Sequence, residues 1–393
     1  MITKSGIDSK NFEFKSAGVV NEAMYMSYTA NTPTGLFVLT NSKGMEVSIT
    51  NVGGRIVSCM VPDKKGNFVD VILGFDSLMG YLDYNQRHDN VQGAIVGRYA
   101  GRITNAKFNI NAKEFNLVEN APGCCLHGGP YGWAFQTFEV LEHNSQTLKL
   151  HLSSPDKDMG FPGKVELDVV YSLYDDNSLH IDYFATSNAP TPINVTNHSY
   201  FNLSGDHSKT ILDDRLFINA WHYAPLDEQL CTKGTIEKFK RHGVLDFYGK
   251  RFFRSAYYKV GKRIGDDIEA DDIEIKIGNG YDHCYALQSA KETKARKLPL
   301  YNNQFPIAAK VHNPSSGVIL EIFTDQPAVQ LYDSADLDGS LIGKKNIPLK
   351  KRCGLCLETQ HFPNSPNVED FPSTIIRPGE KFSSKSVYKF SKE

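Results

Sequence analysis

The sequence has no long hydrophobic run and no excess of charge of either sign. No window approaches the roughly 18 consecutive apolar residues of a membrane-spanning helix, and the richest segment, residues 69–75, is interrupted by Asp70. Lys and Arg total 43 against 45 Asp and Glu, which gives a formal net charge of −2. Without a basic excess, binding to nucleic acid or to an anionic membrane surface is not expected.

The sequence also lacks the signals of secretion, of disulfide frameworks and of nucleotide binding. Residues 1–20 mix charged side chains with no apolar core, which predicts a cytoplasmic protein. The seven cysteines are odd in number and have no framework spacing, so free thiols are expected. Neither a Gly-x-Gly-x-x-Gly turn nor a P-loop is present, and no nucleotide cofactor is predicted.

What the sequence does contain is two-residue alternation broken by turn residues, which is typical of half-buried antiparallel strands. Three hairpins are predicted: residues 45–61, 108–117 and 165–183. Helices are expected to be few and short, at residues 76–84 and 234–241. The pattern predicts an all-β protein with a single large domain over residues 31–393. Residues 1–30 are expected to form an N-terminal extension, and the basic segment 289–303 a loop insertion.

The first place with chemically capable residues is His127, which precedes Gly128 and Gly129. Small neighbours leave an imidazole accessible on a turn, and the nearby Trp133 offers a flat apolar surface for the C–H face of a sugar. The alternative is a pair of turn glycines beside a structural histidine.

The second place is the polar and aromatic segment 194–205 around His198. Amides and hydroxyls around one histidine can fix its tautomer and leave the other nitrogen free for proton transfer. The segment is therefore predicted to be functional, although such a network also occurs for structural reasons alone.

The third place is the apolar segment 353–363, which contains Glu358. A carboxylate beside apolar strand residues is partly desolvated, which raises its pKa and suits a general base. The pair Cys353 and Cys356 is a competing zinc signal, but a structural zinc site would need a second such pair. Arg102, Asp282 and Gln330 are further polar candidates on short strand-like segments.

Four segments occur in the order found in the aldose 1-epimerase (galactose mutarotase) family: residues 97–103, 126–129, 197–203 and 358–366. The resemblance covers the chain from about residue 35 to its end. It implies a large antiparallel β-sandwich, a monosaccharide substrate, no cofactor and no metal, in a monomer or weak homodimer. It also implies His198 as general acid and Glu358 as general base, with the substrate held by Arg102, His127, Tyr200, Asp282 and Gln330.

The sequence departs from the family in two ways. Gly101 stands where the family usually has Asn before the arginine matching Arg102, and the segment between Asp282 and Gln330 is longer than usual.

Three alternative functions stay open. A glycoside hydrolase would use Asp282 and Glu358 as its two carboxylates. A sugar-binding module would bind without catalysis, and a hexose-phosphate epimerase would need a cationic cluster, for which residues 291–297 are the candidate.

Overall fold

A computed structural model describes residues 1–13, 31–82, 90–240, 243–248 and 260–393. The strands in chain order are β1 (Leu36–Thr40), β2 (Glu46–Thr50), β3 (Arg55–Pro62), β4 (Phe68–Asp70), β5 (Ile95–Val96), β6 (Arg102–Thr104), β7 (Lys107–Ile110), β8 (Lys113–Asn116), β9 (Cys124–Leu126), β10 (Glu139–His143), β11 (Thr147–Ser154), β12 (Val165–Leu173), β13 (Ser178–Ser187), β14 (Thr191–Pro192), β15 (Thr196–Asn197), β16 (Arg215–Ile218), β17 (Ala220–Ala224), β18 (Glu237–Lys238), β19 (Lys262–Arg263), β20 (Asp282–Leu287), β21 (Leu300–Tyr301), β22 (Phe305–His312), β23 (Val318–Thr324), β24 (Ala328–Tyr332), β25 (Asp338–Ile342), β26 (Pro348–Lys350), β27 (Cys356–Gln360), β28 (Ile375–Ile376) and β29 (Phe382–Lys392). The described residues also form the short α-helices α1 (Leu78–Leu82), α2 (Ile273–Ile277) and α3 (Ala290–Ala295).

The predicted all-β, antiparallel fold is confirmed. The largest sheet has the order β10-β11-β12-β13-β29-β23-β22-β16-β19, with β21 paired to β22. Buried and partly exposed residues alternate without a break along β12, as the sequence predicted for residues 165–173. The strand β29 lies between β13 and β23 in the middle of this sheet, although it is the last strand in the sequence.

A five-stranded sheet of order β18-β17-β20-β24-β27 carries the polar residues singled out in the sequence. Gln330 on β24 pairs with Cys284 on β20 and with Glu358 on β27. Asp282 begins β20 two residues before Cys284. Because residues directly opposite each other share a face and side chains alternate along a strand, Asp282, Gln330 and Glu358 all lie on one face of this sheet.

Two local predictions were wrong. The segment 289–303 is not a loop: it contains α3 and β21, and α3 begins at a capping box in which Ser289 and Glu292 satisfy each other's backbone N–H groups. The Asn219 amide donates to Thr293 Oγ1 at 2.9 Å, which fixes α3 to the sheet. Residues 234–240 form β18 within an irregular segment instead of a helix, and residue 241 lies outside the described residues.

The described part of the N-terminal segment packs onto the rest of the chain. Ile7 and Phe12 are buried in a hydrophobic cluster with residues of α1, and the Lys4 backbone N–H donates to the Glu46 carboxylate at 2.6 Å. Residues 14–30 lie outside the described residues, so the extension remains a prediction there. The single-domain organisation also remains a prediction.

All seven cysteines are free and buried. Within the described ranges, no helix is long and apolar enough to cross a membrane.

The two arginines of segment 97–103 have different surroundings. Arg98 is 1% exposed, and its Nη1 donates to the carbonyls of Pro162 and Gly163, both at 2.8 Å. Its Nη2 donates to Ser154 Oγ at 2.6 Å. Arg102 lies four residues further on, at the start of β6, and is partly exposed. Arg98 therefore ties the loop before β12 to the backbone that carries Arg102.

We expect Arg98→Met to lower the free energy of unfolding by about 3 kcal/mol, because buried carbonyls and a hydroxyl lose a charged donor and the aliphatic replacement cannot satisfy them. Urea unfolding followed by tryptophan fluorescence measures the change. Arg377→Met is the matched control, since Arg377 is exposed and its replacement should change stability by less than about 0.5 kcal/mol. An equal effect of the two substitutions would contradict the structural role of Arg98.

Candidate functional site

A pocket opens where the polar face of β20, β24 and β27 meets the segment 97–103 and the turn that follows β9. All seven site residues predicted from the sequence line it, together with residues that the prediction did not include. The predicted seven are Arg102, His127, His198, Tyr200, Asp282, Gln330 and Glu358. The structure therefore brings together side chains from six strands and turns that span most of the sequence.

His198 and Glu358 form a close pair at the bottom of this pocket. The distance from His198 Nε2 to Glu358 Oε1 is 3.4 Å, and the two side chains are 5% and 2% exposed. The position of His198 is set by its backbone, which donates to the Ala94 carbonyl and accepts from the Gly93 N–H, both at 2.8 Å. The geometry thus places a buried carboxylate within reach of a buried imidazole.

The polar residues around His198 fix the backbone on either side of it. The Asn197 amide donates to the Gly93 carbonyl at 2.8 Å, and the Asn194 amide donates to the Ala100 carbonyl at 3.0 Å. The Asn202 amide donates to the Cys353 carbonyl at 2.8 Å. The three asparagine amides therefore hold the backbone of this segment, and the backbone in turn positions His198.

Burial raises the pKa of Glu358 well above the ordinary value of 4.5. The negative charge of Asp282 raises this pKa further, and the guanidinium of Arg102 opposes both effects. Glu358 Oε2 has no hydrogen-bond partner within the described residues, so it faces the pocket with its accepting capacity unused. The prediction of a partly desolvated carboxylate at Glu358 agrees with this environment.

His127 is held neutral beside the pair. Burial lowers its pKa well below 6.5, and the charges of His198 and Arg102 lower the pKa further. The Gly101 N–H donates to His127 Nδ1 at 3.3 Å, which leaves the proton of the neutral ring on Nε2. A Cβ at Gly128 would lie 2.1 Å from the Gly97 carbonyl oxygen, so this turn requires glycine.

Asp282, Gln330 and Arg102 form a polar group on the other side of the pocket. Gln330 Nε2 donates to Asp282 Oδ1 at 2.6 Å, and Arg102 Nη1 lies 3.8 Å from Asp282 Oδ2. The arrangement presents both hydrogen-bond donors and acceptors to the pocket. Such a mixture suits hydroxyl groups, which donate and accept at the same oxygen.

Two tyrosines supply the aromatic surface that the sequence analysis assigned to Trp133. Tyr200 is stacked on His198, with ring centroids 5.1 Å apart and an interplanar angle of 17°. Tyr332 meets both rings edge-on, at 6.4 Å from His198 and 6.0 Å from Tyr200. Trp133 is fully buried beneath Gly97 and does not line the pocket, so its predicted sugar-stacking role was wrong.

The pocket also contains residues that sequence reasoning missed. Tyr332 and Gln360 each lie two positions after a predicted site residue on the same strand, so strand alternation alone could have found them. Leu226 and Leu230 come from the turn after β17 and carry no sequence signal. Residues 291–297, the candidate cationic cluster, do not line the pocket.

Within the described ranges, one group of side chains has the spacing of a metal site. His127, His198 and Glu358 each offer a ligand atom, and these atoms lie within 4.8 Å of one another. Two imidazoles and a carboxylate are a donor set that zinc accepts. The competing zinc pair predicted from the sequence, Cys353 and Cys356, does not belong to this group, and burial raises the pKa of both thiols.

Comparison with known proteins decides the family. The sequence model described as Aldose 1-epimerase matches residues 35–389. The chain belongs to the aldose 1-epimerase family. It is therefore a carbohydrate isomerase that interconverts the anomers of aldoses.

Family members of known sequence and structure resemble this chain over nearly its full length. The chain is 37% identical to galactose mutarotase of Mus musculus over 352 residues, which cover 89% of this chain and 92% of the relative. It is 34% identical to aldose 1-epimerase of Escherichia coli over 364 residues, or 92% and 96% of the two chains. Among solved structures, an aldose epimerase homologue from C. elegans has a TM-score of 0.76 and 27% identity, and covers 91% of this chain and 99% of its own. The galactose 1-epimerase of Lactobacillus acidophilus has a TM-score of 0.73 and 27% identity, with 92% and 96% covered.

We expect the Glu358 carboxyl to stay protonated at pH values where an ordinary glutamate is ionised, and Asp282→Asn to lower its pKa by removing a neighbouring negative charge. Infrared difference spectra between each protein and its Glu358→Gln derivative isolate the carboxyl band and its titration. Asp182→Asn, on β13 and outside the pocket, is the control and should leave the pKa unchanged. A Glu358 pKa at or below 4.5 would contradict the burial argument.

Proposed function

We propose that this chain interconverts the α and β anomers of free aldohexoses such as galactose and glucose, with Glu358 and His198 transferring the protons. The observation that carries the proposal is the buried pair itself, a carboxylate oxygen 3.4 Å from an imidazole nitrogen at the bottom of a pocket with mixed donors and acceptors. The names of the relatives, galactose mutarotase and aldose 1-epimerase, support the choice of substrate.

Anomer exchange requires the bond between C1 and the ring oxygen to break and to form again. Ionised Glu358 accepts the proton of the C1 hydroxyl while protonated His198 donates a proton to the ring oxygen, and the C1–O bond breaks to give the open aldehyde. Rotation about C1–C2 presents the other carbonyl face, and closure returns both protons by the reverse transfers. The sugar leaves with the same atoms and the enzyme with the same protonation.

The electrostatics of the pocket suit these roles. A general base is most effective when its pKa lies near the working pH, and burial moves the pKa of Glu358 in that direction. The adjacent imidazole is the acid, and its positive charge beside the carboxylate is an arrangement that favours opposite protonation states. In the proposed mechanism each cycle therefore begins with Glu358 ionised and His198 protonated.

The remaining residues hold the sugar while it is open. Asp282, Arg102 and Gln330 form one hydrogen-bonding side, and neutral His127 presents an Nε2 proton from another. Tyr200 and Tyr332 offer apolar surface to the C–H groups of the ring. Orientation by these contacts keeps the aldehyde near the two proton-transfer groups until it closes.

We expect Glu358→Gln and His198→Asn each to reduce kcat by roughly 10²–10⁴-fold, because each removes one positioned proton-transfer group. Polarimetry of freshly dissolved α-galactose measures the rate. Glu274→Gln is a matched control, since Glu274 lies 3.4 Å from the buried His283 but outside the pocket, and it should keep the wild-type rate. A near wild-type rate in either pocket variant would refute the assignment.

We expect activity on α-galactose and α-glucose, little activity on glucose 6-phosphate, and no release of nitrophenol from nitrophenyl glycosides. The physical reason is that Arg102 is occupied by Asp282 and the basic segment 291–297 lies outside the pocket lining, so no unpaired cation among the described lining residues awaits a phosphate. Coupled assays and polarimetry with the three sugars measure the preference. Action on the phosphorylated sugar alone would favour the hexose-phosphate alternative, and glycoside cleavage would favour the hydrolase.

A further inference from the structure

Gln360 is a buried glutamine in the pocket with an unsatisfied amide. Its side chain is 1% exposed, and neither its Oε1 nor its Nε2 has a hydrogen-bond partner within the described residues. Leaving a buried donor and acceptor without partners is unfavourable, and most buried polar groups in proteins are bonded. An amide in this state inside a pocket is arranged to bond something that enters the pocket.

The position of Gln360 on the sheet aims it at the same space as Glu358. The two residues lie two positions apart on β27, so their side chains leave the same face of the strand. Opposite Gln360 is Ala328 on β24, and opposite Ala328 is Ala286 on β20. Both neighbours in this row are small and apolar, so their side chains offer the amide no hydrogen-bond partner.

Gly101 lies on the other side of the amide. A Cβ built at Gly101 would lie 3.6 Å from Gln360 Nε2 and 3.1 Å from Pro363 Cβ. Gly101 has φ of +78°, a conformation in which glycine carries no steric penalty. Because no side chain projects from residue 101, this neighbour offers the Gln360 amide no side-chain hydrogen-bond partner.

We propose that Gln360 is a substrate-positioning residue that hydrogen-bonds a hydroxyl of the sugar, on the side of the pocket that Gly101 lines. This inference rests on the proposed anomer exchange and adds a contact to it. One amide offers a donor and an acceptor, and a sugar hydroxyl can use either. The contact is made to a hydroxyl away from the reacting bond, so it acts on binding and orientation and leaves proton transfer to Glu358 and His198.

The test compares Gln360→Met with wild type on galactose and on its 2-, 3-, 4- and 6-deoxy derivatives. Methionine has a similar length and no amide, so it fills the position without the hydrogen bond. We expect KM for galactose to rise roughly tenfold with kcat changed by less than about twofold, as for loss of one neutral hydrogen bond made equally in ground and transition states. On the deoxy sugar that lacks the bonded hydroxyl, wild type and variant should have the same kcat/KM within about twofold.

Gln288→Met is the matched control, since Gln288 is also a buried glutamine but lies outside the pocket lining. It should leave KM unchanged for the whole series. If Gln360→Met does not fold, as judged by its thermal unfolding, Gln360→Asn replaces it, because it keeps the amide chemistry but shortens the side chain by one methylene. The same sugar-dependent loss is expected from that variant.

The proposal would be overturned by an unchanged KM for galactose, or by a loss of the same size on every sugar of the series, which indicates a structural effect. The proposed function fails in a different way: wild type itself would then not accelerate the mutarotation of any of these sugars. Both the proposed function and the role of Gln360 are supported if wild type is active and Gln360→Met loses the contact to one hydroxyl only.

Discussion

The burial of one carboxylate next to one imidazole is the constraint on which the rest of the site depends. Taking the Glu358 charge out of water is unfavourable, and the Arg102 guanidinium compensates only in part. Its pKa is therefore raised, so the neutral carboxyl persists at pH values where an ordinary glutamate is ionised. The sheet has to hold it against His198, since a shift of about 1 Å would weaken both the pairing and the proton transfer.

A second glutamate–histidine pair in the same molecule shows that distance alone does not produce this state. Glu274 and His283 are also 3.4 Å apart, yet the pKa of Glu274 is lowered, because the bonds from His283 and Tyr223 together outweigh the effect of its burial. The pKa of Glu358 is raised because its burial is greater and Asp282 adds a like charge. The same distance in two environments thus accompanies opposite shifts in the glutamate pKa.

Local patterns predicted the strands and turns well, because alternation reports directly on which side of a strand is buried. They failed at residues 289–303. The capping box of Ser289 and Glu292 indicates a helix start, but the lysines that follow it were interpreted as a solvent-exposed loop. Trp133 was wrongly assigned to the sugar. Its ring packs against Gly97, and this contact exists only in the folded backbone, so the sequence carries no sign of it. The pairing of β24 with β27, which brings Gln330 opposite Glu358, is a long-range register that no single segment contains.

The central place of β29 in the largest sheet has a consequence for how the protein is made. Its two neighbours, β13 and β23, are both synthesised earlier, and until β29 emerges from the ribosome each presents a long edge with unpaired backbone groups. The edge of β13 therefore stays unpaired while residues 188–381 are made, whereas the edge of β23 stays unpaired only while residues 325–381 are made. Chaperone dependence and aggregation during expression should accordingly depend most on the interval between the synthesis of β13 and that of β29.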